Sequence, residues 1–233
     1  MPTLDDPPTA WVNAEDADFL ALKAKNPGFF PIDKPAGCTS REIVDVAMQK
    51  LGVGKAGHTG TLDPFATGVL VIAVEKALKV LKYSENWDKE YEGTILLGVE
   101  TDTYDTTGNV LAQRDVPVLS EEKVSDTLKQ FVGEIVQYTP PVSAAKVRGM
   151  RLHERARRGE RLSPPRMVTV HSIKIVAFEA PRITLRIHCG RGTYVRSVAH
   201  ELGLALGTVG ALESLRRTRE GPFELKDCID LGI

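Results

Sequence analysis

The stretch that most constrains the fold is Lys55–Val74, which reads KAGHTGTLDPFATGVLVIAV. It holds three glycines and the pair Asp63-Pro64 among polar residues, and it ends in a continuous apolar run. Glycine permits backbone conformations that other residues resist, and proline restricts both itself and the residue before it. The pattern predicts a structured loop that leads directly into a buried strand at Gly68–Val74.

Outward from this stretch, strands and helices alternate irregularly. Thr39-Ser-Arg-Glu42 has capping-box spacing and Gly52 suits the position after a helix end, which predicts a helix over about 40–51. The other predicted helices cover about 75–83, 120–131, 151–158 and 193–206. The predicted strands cover about 28–33, 68–74, 91–99, 134–138, 142–147, 168–178, 182–189 and 215–223, with another near 110. Because there is no regular βαβ repeat, we expect an α+β fold with a central, mostly antiparallel mixed sheet flanked by helices.

The net charge of the chain conceals a strong asymmetry along it. The 233 residues carry 30 Lys+Arg and 31 Asp+Glu, for a formal net charge of −1. Residues 1–27 and 85–126 are acidic, whereas Arg148–Arg166 contains seven arginines and two glutamates. The total argues against a nucleic-acid partner, but the distribution makes a polyanionic ligand plausible on one face.

Several classes of protein are excluded or disfavoured by composition. An apolar content of 42% and the low net charge exclude wholesale disorder. The longest apolar run is far shorter than the roughly 20 residues of a membrane-spanning helix. The three cysteines and five histidines are scattered, without disulfide or metal-ligand spacing. The acidic N-terminus does not resemble a secretory signal, so we expect a cytoplasmic protein without a bound metal.

Asp63 and His58 are the candidate chemical groups of the glycine-rich stretch. A carboxylate on a rigid loop is well placed for nucleophilic or acid–base work. Considered alone, however, an Asp-Pro pair more often starts a turn, and an isolated histidine more often forms a structural hydrogen bond. These alternatives remain open on the residues of this stretch alone.

Six blocks of sequence, in this order along the chain, resemble the TruB-type family of tRNA pseudouridine-55 synthases. They are PIDKPAGCTS (Pro31–Ser40), GHTGTLDPFATGVL (Gly57–Leu70), DKEY (Asp88–Tyr91), YTPPVSAAKVRGMRLHERARRGE (Tyr138–Glu160), CGRGTYVRSVAHELG (Cys189–Gly203) and SLRRTREGPF (Ser214–Phe223). The resemblance covers about 28–223 and implies the pseudouridine synthase fold. It also implies an isomerase that converts uridine 55 in the T-loop of tRNA to pseudouridine without a cofactor.

The resemblance implies a role for each matching residue. Asp63 matches the nucleophile, Arg196 the arginine that pairs with it, and Tyr91 the tyrosine that stacks on the target base and transfers protons. A guanidinium close to a buried aspartate would keep that aspartate ionised. His58 matches the histidine that helps to extrude the target nucleotide, since such enzymes must flip the base out of its stack. Tyr194 and Leu215 match further positions of the base pocket, and Lys34 matches a residue that supports the floor of the site.

The arginine-rich insertion (about residues 140–166) matches an RNA-gripping element of the family. We expect Arg148, Arg151, Arg155, Arg157 and Arg158 to contact phosphates, although a solvated basic helix is the alternative. The expected partner is the T-arm of tRNA, with no obligatory protein partner and no membrane. The chain is expected to be a monomer, the default where the sequence is silent.

The resemblance divides the chain into three parts. We expect an N-terminal extension at 1–27, a catalytic domain at 28–223 and a short tail at 224–233. Bacterial members usually continue into a small RNA-binding PUA domain, which this tail is too short to form.

Two other functions compete with the isomerase. An RNA-binding module that assists tRNA folding would not require Asp63, Tyr91 and Arg196 together, although the two roles can coexist. A glycosidase-like hydrolase would need a second carboxylate beside the first, and none accompanies Asp63 in the sequence. The residues do not distinguish direct displacement of the base from elimination to a glycal.

Overall fold

The structure is a computed structural model that describes residues 28–84, 86–143, 145–160, 162–229 and 231. The N-terminal extension predicted for residues 1–27 lies outside the described residues. The chain forms two compact units, and the boundaries fall within two strands. Among the described residues, the first unit combines those up to Tyr91 with those from Arg216 onward, and the second comprises those from Glu92 to Leu215.

In the part of the chain that the structure describes, the first unit contains two helices and several strands. Its helices are α1 (Ser40–Leu51) and α2 (Leu81–Ser84), and a 3-10 helix at Glu75–Val80 precedes α2. Its strands are β1 (Phe29–Lys34), β2 (Ala56–His58), β3 (Thr67–Val74), the start of β4 (Lys89–Leu97), the end of β12 (Gly210–Glu220) and β13 (Phe223–Glu224). Strand β3 pairs antiparallel with β1 and β2 and parallel with β12.

Helix α1 forms where its capping signals predict it. The Thr39 side chain accepts a hydrogen bond from the Glu42 backbone, and the Glu42 side chain accepts one from the Thr39 backbone. Gly52 ends the helix in the left-handed conformation, at φ 59°. The capping box and the glycine satisfy backbone groups that the helix leaves unpaired at its two ends, which confirms the predicted helix.

Strand β3 forms the core of the first unit. Its residues from Gly68 to Val74 are all buried, as the apolar run predicts. On one face, Val69 and Val71 pack with Phe223, and Phe29 and Trp87 cover this cluster. Such a strand, buried on both faces, provides a rigid base for the loop that precedes it.

The described residues of the second unit form three helices and the remaining strands. Its helices are α3 (Glu121–Leu128), α4 (Leu152–Ala156) and α5 (Val195–Ala205), with a 3-10 turn at Lys129–Phe131. Its complete strands are β5 (Val99–Thr101), β6 (Val110–Gln113), β7 (Gly133–Tyr138), β8 (Lys146–Val147), β9 (Met150–Arg151), β10 (Pro165–Glu179) and β11 (Arg182–Cys189). Strand β10 pairs antiparallel with both β7 and β11.

One predicted strand of the second unit is wrong in its extent. Residues 142–147 were expected to form a strand, but only Lys146–Val147 does so, paired with Met150–Arg151. Arg148 and Gly149 between them both have positive φ, at 49° and 81°. This is the geometry of a tight two-residue hairpin, so pairing begins only at the residues next to the turn.

The main sheet has the strand order β1-β3-β12-β4-β11-β10-β7. Antiparallel pairs predominate among the pairings described above, and β3–β12 is a parallel exception. With helices added to this mixed sheet, the fold is α+β, as the sequence predicts. Among the described residues, no helix is both long and apolar enough to span a membrane.

Candidate active site

Asp63 lies on a loop whose backbone is held on both sides of the carboxylate. In this Asp63 loop (Gly57–Gly68), Asp63 is partly exposed, whereas Leu62 and Ala66 are buried. The Asp63 carbonyl accepts a hydrogen bond from the Ala66 backbone at 3.1 Å, which closes a turn over Pro64. The turn that Asp-Pro predicts is therefore present, and Asp63 within it is partly exposed.

Ser40 holds the loop on the N-terminal side of Asp63. The hydroxyl of this buried first residue of α1 donates to the Leu62 carbonyl at 3.0 Å and accepts from the Leu62 amide at 2.9 Å. One side chain thus satisfies both backbone groups of a buried residue, which fixes the chain immediately before Asp63.

Lys34 holds the loop on the C-terminal side of Asp63. Its fully buried ammonium donates to the carbonyls of Pro35, Pro64 and Ala66 at 2.8, 3.2 and 2.7 Å. These three acceptors match the three donors of an ammonium. Burial lowers the pKa of Lys34, while Cys38 and Asp63 nearby raise it. The contacts agree with the supporting role that the resemblance implies for Lys34.

Tyr91 is buried on β4 and contacts an arginine that the sequence analysis did not single out. The tyrosine is 7% exposed, and its side chain interacts with the guanidinium of Arg217. Arg217 is itself fully buried on β12 and also donates to the Gly60 carbonyl of the Asp63 loop at 3.0 Å. No local pattern distinguishes Arg217 from Arg216, because its importance comes from contacts distant in sequence.

His58 lies on β2 at the start of the Asp63 loop. Burial lowers its pKa, and the positive charges of Arg217 and Arg41 lower it further. Its buried Nδ1 has no hydrogen-bond partner among the described residues. The lowered pKa favours the neutral imidazole, whose Nδ1 forms no hydrogen bond with the described residues.

Arg196, in the first turn of α5, is 4% exposed, which is incompatible with an ordinary helix-surface arginine. Its Nη1 donates to the carbonyls of Thr103 and Val142 at 2.8 and 3.1 Å and lies 3.4 Å from an Asp105 carboxylate oxygen. These contacts within the second unit fix the guanidinium. Its pairing with Asp63, which belongs to the first unit, stays a prediction.

Asp105 is a site residue that the sequence analysis missed. Its carboxylate accepts hydrogen bonds from the Thr103 hydroxyl and the Thr107 amide, both at 3.0 Å, besides facing Arg196. Tyr104, immediately before it, has φ 65°, a conformation rare for residues other than glycine. The signal in the sequence is the turn-forming run Asp105-Thr-Thr107-Gly, in which an aspartate caps the amide two residues on.

Tyr194 lies at the N-terminal end of α5, and Leu215 lies in the middle of β12. Tyr194 is the N-cap of α5, and its backbone is held by the fully buried Gln137 side chain. Gln137 donates to the Tyr194 carbonyl at 3.0 Å and accepts from the Tyr194 amide at 2.8 Å. Leu215 is 8% exposed on β12. The buried Gln137 thus fixes the backbone of Tyr194, as a residue that shapes a pocket requires.

The arginines of the arginine-rich insertion fall into two groups. Five of the described arginines are exposed, namely Arg148, Arg151, Arg157, Arg158 and Arg166. Arg155 is different, because it forms an ion pair with Glu160 and donates to the Val147 carbonyl at 3.2 Å. The exposed group can reach a ligand directly, whereas Arg155 holds the insertion together.

Comparison with solved structures defines the class of fold. The chain superposes on a protein of a Cbf5-Nop10-Gar1 complex with a TM-score of 0.66 at 34% identity, over 84% of this chain and 50% of the other. It also superposes on a chain of an H/ACA RNP bound to a substrate RNA containing 2′-deoxyuridine, with a TM-score of 0.65 at 33% identity, over 88% of this chain and 51% of the other. The fold is thus one found in RNA–protein assemblies.

The family follows from sequence comparison. Residues 48–195 match the family model of the TruB family pseudouridylate synthase N-terminal domain. Proteins called tRNA pseudouridine synthase B are 47% identical over 209 residues in a Synechococcus species and 42% identical over 213 residues in Corynebacterium efficiens. The alignments cover 88% and 89% of this chain and 70% and 72% of those relatives. The chain belongs to the TruB family of pseudouridylate synthases.

Proposed function

We propose that the chain converts uridine to pseudouridine at position 55 in the T-loop of tRNA, with Asp63 as the nucleophile. The observation that carries this proposal is the arrangement of the Asp63 loop. A partly exposed carboxylate lies between backbone groups that Ser40 and Lys34 hold from the interior. Combined with membership of a pseudouridylate synthase family, this arrangement favours a chemical role over a mere turn.

The proposed reaction changes one bond for another within the same nucleotide. The bond between uracil N1 and ribose C1′ breaks, the base turns, and a bond from C5 to C1′ forms. The C5 proton is lost and N1 gains a proton, so atoms and charge balance without an oxidant or a group donor. Asp63 attacks the flipped-out nucleotide during this exchange, and Tyr91 serves as the group that moves the proton.

The other candidate residues have supporting roles in this proposal. Arg196 keeps the nucleophile ionised, and its fixed, buried guanidinium suits that task. Neutral His58 occupies the place that the extruded nucleotide leaves, and Tyr194 and Leu215 contact the base. Lys34 acts through the backbone of the Asp63 loop.

The proposed RNA partner is bound through the arginine-rich insertion, whose exposed arginines suit phosphate contacts. We assign residues 28–223 to the catalytic domain, and we propose that the protein acts as a monomer in the cytoplasm without an obligatory protein partner. The chain spans about two thirds of the length of its tRNA pseudouridine synthase B relative from Syntrophotalea carbinolica, at 39% identity. The substrate range of the whole protein is therefore part of this proposal.

Release of tritium from uridine C5 tests the function. An unmodified tRNA transcript labelled with tritium at uridine C5 is incubated with the wild-type chain, with Asp63→Asn and with the control Asp45→Asn. Asp45 is an exposed residue of α1 that is ion-paired with Arg41. We expect release by the wild type and by Asp45→Asn and none by Asp63→Asn. Equal release by all three proteins, or none by the wild type, would contradict the proposal.

A further inference from the structure

Arg217 is the largest fully buried side chain of the described residues, and its guanidinium is surrounded by acceptors. Its Nε donates to the Val69 carbonyl at 2.6 Å and its Nη2 to the Gly60 carbonyl at 3.0 Å. Gly60 precedes Asp63 in the Asp63 loop, and Val69 lies in β3 just after it. One planar group therefore connects the two ends of the segment that carries the proposed nucleophile.

The positive charge of Arg217 is balanced within the same unit. A Glu220 carboxylate oxygen lies 3.0 Å from Nη2, and Lys89 lies 3.9 Å from the other oxygen of Glu220. Burial on its own would lower the pKa of Arg217, but Glu220 and Tyr91 raise it above its ordinary value. The guanidinium is thus charged and can only donate hydrogen bonds.

The loop is shaped to admit this charged pair. A side-chain carbon added at Gly60 would lie 2.6 Å from a Glu220 carboxylate oxygen, and one added at Gly68 would lie 2.2 Å from the Arg217 carbonyl. Both distances are shorter than any ordinary contact. Gly60 is therefore required by the close approach of the Glu220 carboxylate, whereas Gly68 is required by the backbone of Arg217 in the strand that pairs with β3.

Stability does not by itself require two opposite charges at this position. A buried ion pair costs several kcal/mol per ion in lost hydration, and apolar residues of similar volume often give an equally stable or a more stable protein. A reason other than stability is therefore needed for the pair. The contact between Arg217 and the side chain of Tyr91 supplies one.

A hydrogen bond between a guanidinium and a phenol has only one possible direction. Because arginine has no acceptor, the Tyr91 oxygen must accept and the Arg217 N–H must donate. The Tyr91 proton is then directed away from Arg217, toward whichever acceptor occupies the other side of the hydroxyl. This matters if Tyr91 moves a proton in the reaction.

We propose that Arg217 is a positioning residue for the isomerisation, which connects the ends of the Asp63 loop to the Tyr91 hydroxyl and directs the Tyr91 proton toward the substrate. This inference rests on the proposed function, because it concerns the groups that the proposal assigns to the reaction. Arg217 acts through Tyr91 and the loop and does not itself react.

A double-mutant cycle of single-turnover rate constants, with enzyme in excess over tritium-labelled tRNA, tests the inference. Arg217→Lys retains the charge opposite Glu220 but loses the fork of donors. We expect a rate constant about tenfold lower, equivalent to about 1.4 kcal/mol, with tRNA affinity unchanged within about twofold. In the Tyr91→Phe background, Arg217→Lys is expected to lower the rate constant by less than about threefold, because the phenol oxygen is gone. Arg182→Lys, at an exposed ion pair with Glu213, is the control.

The outcomes separate the inference from the proposed function. No tritium release by the wild type contradicts the function itself, whereas an active wild type with equal tenfold effects in both backgrounds contradicts only the role of Arg217. If Tyr91→Phe is too slow to measure, the pH dependence of Arg217→Lys decides. A pH profile of the rate constant whose alkaline limb differs from that of the wild type supports the proposal. A rate constant that is lower by the same factor at every pH overturns it.

Loss of folding is controlled by a compensated variant. Arg217→Met combined with Glu220→Leu removes both charges of the pair, so neither is left buried without the other. Lys89, which also faces Glu220, keeps its hydrogen bond to the Trp87 carbonyl at 2.7 Å. We expect this double variant to fold, to bind tRNA and to be at least tenfold slower than the wild type. Wild-type turnover by a folded Arg217→Met/Glu220→Leu variant would overturn the inference.

Discussion

The Asp63 loop and the arginine-rich insertion are the regions of the two main functional hypotheses. They differ in the contacts that hold their backbones in place. In the Asp63 loop, buried side chains from distant segments, Lys34, Ser40 and Arg217, bind the backbone carbonyls. In the arginine-rich insertion the elements are two to five residues long, and the hydrogen bond of Arg155 with Val147 is local.

The difference agrees with what each region is proposed to do. Chemistry on one bond requires a carboxylate held within a fraction of an ångström, and this needs rigid support beneath the loop. Contact with a phosphate backbone requires exposed positive charge, and long flexible side chains provide it without a preformed pocket. Substitutions beneath the loop should therefore impair catalysis, while those on the insertion should impair binding.

The largest effect is expected for Lys34→Met. This change leaves the carbonyls of Pro64 and Ala66 without their buried donor, at about 1–3 kcal/mol for each unsatisfied group. Movement of the loop by about 1 Å can slow a reaction roughly 100-fold. We expect a loss of about 3 kcal/mol in the free energy of unfolding, measured in urea, and a roughly 100-fold slower single-turnover tritium release.

The matched control for this prediction is Lys55→Met, which removes an exposed lysine just before the same loop. It should change neither the free energy of unfolding by more than about 0.5 kcal/mol nor the rate appreciably. A Lys34→Met protein as active as Lys55→Met would show that the loop does not depend on its buried anchors.

Local patterns of the sequence predicted the elements around the Asp63 loop well. The capping box from Thr39 to Glu42 and the apolar run at Gly68–Val74 act through neighbours in the chain, so periodicity and capping rules suffice to find them. The family resemblance supplied the proposed roles of Asp63, Tyr91 and Arg196, which local rules could not provide.

Several contacts that hold the candidate site residues escaped prediction because the partners are distant in the chain. Arg217 binds Gly60, Arg196 binds Thr103, and Gln137 binds Tyr194, so the partners in each pair are separated by 157, 93 and 57 positions. No spacing rule connects such residues, and only the strand order brings them together. The strand expected over 142–147 failed for a related reason, since the extent of the hairpin depends on the backbone of Arg148 and Gly149.

An intermediate effect is expected for Asp105→Asn. The substitution preserves size but removes the negative charge that faces the buried guanidinium of Arg196. Leaving a buried cation without its counterion is strongly destabilising, so we expect a loss of about 2–3 kcal/mol in the free energy of unfolding. Single-turnover tritium release should be roughly 30-fold slower, because a displaced guanidinium no longer serves the reaction. The exposed control Asp126→Asn, ion-paired with Lys129, should match the wild type in both measurements.

A smaller effect, confined to binding, is expected for neutralisation of the exposed arginines. Replacing Arg148, Arg157 and Arg158 by glutamine should weaken tRNA affinity about tenfold at physiological salt. The slope of log Kd against log salt should fall by about 0.7 to 0.9 for each phosphate that the protein no longer neutralises. The free energy of unfolding should not change. An unaltered slope would show that these arginines are merely solvated.

Arg155→Gln is the variant to compare with this triple variant. Arg155 is ion-paired with Glu160 and bonded to Val147 within the insertion. Its replacement should therefore increase the susceptibility of the insertion to limited proteolysis, whereas the triple variant should not. Equal proteolysis of the two proteins would contradict the division of the arginines into exposed and structural groups.

The smallest expected effect concerns the pH dependence of stability and a histidine outside the proposed chemistry. His200 stacks on Tyr104 with ring centroids 3.9 Å apart, and burial lowers its pKa, although Glu100 opposes this shift. As the pH falls through about 6.5, the unfolded chain takes up a proton that folded His200 resists. The contribution of His200 to the free energy of unfolding is therefore fully present above that pH. It decreases as the pH falls further toward the lower pKa of the folded state. His200→Gln should make the acid decline in the free energy of unfolding shallower, by up to about 1.4 kcal/mol for each unit of depressed pKa. A decline as steep as that of the wild type would contradict this expectation.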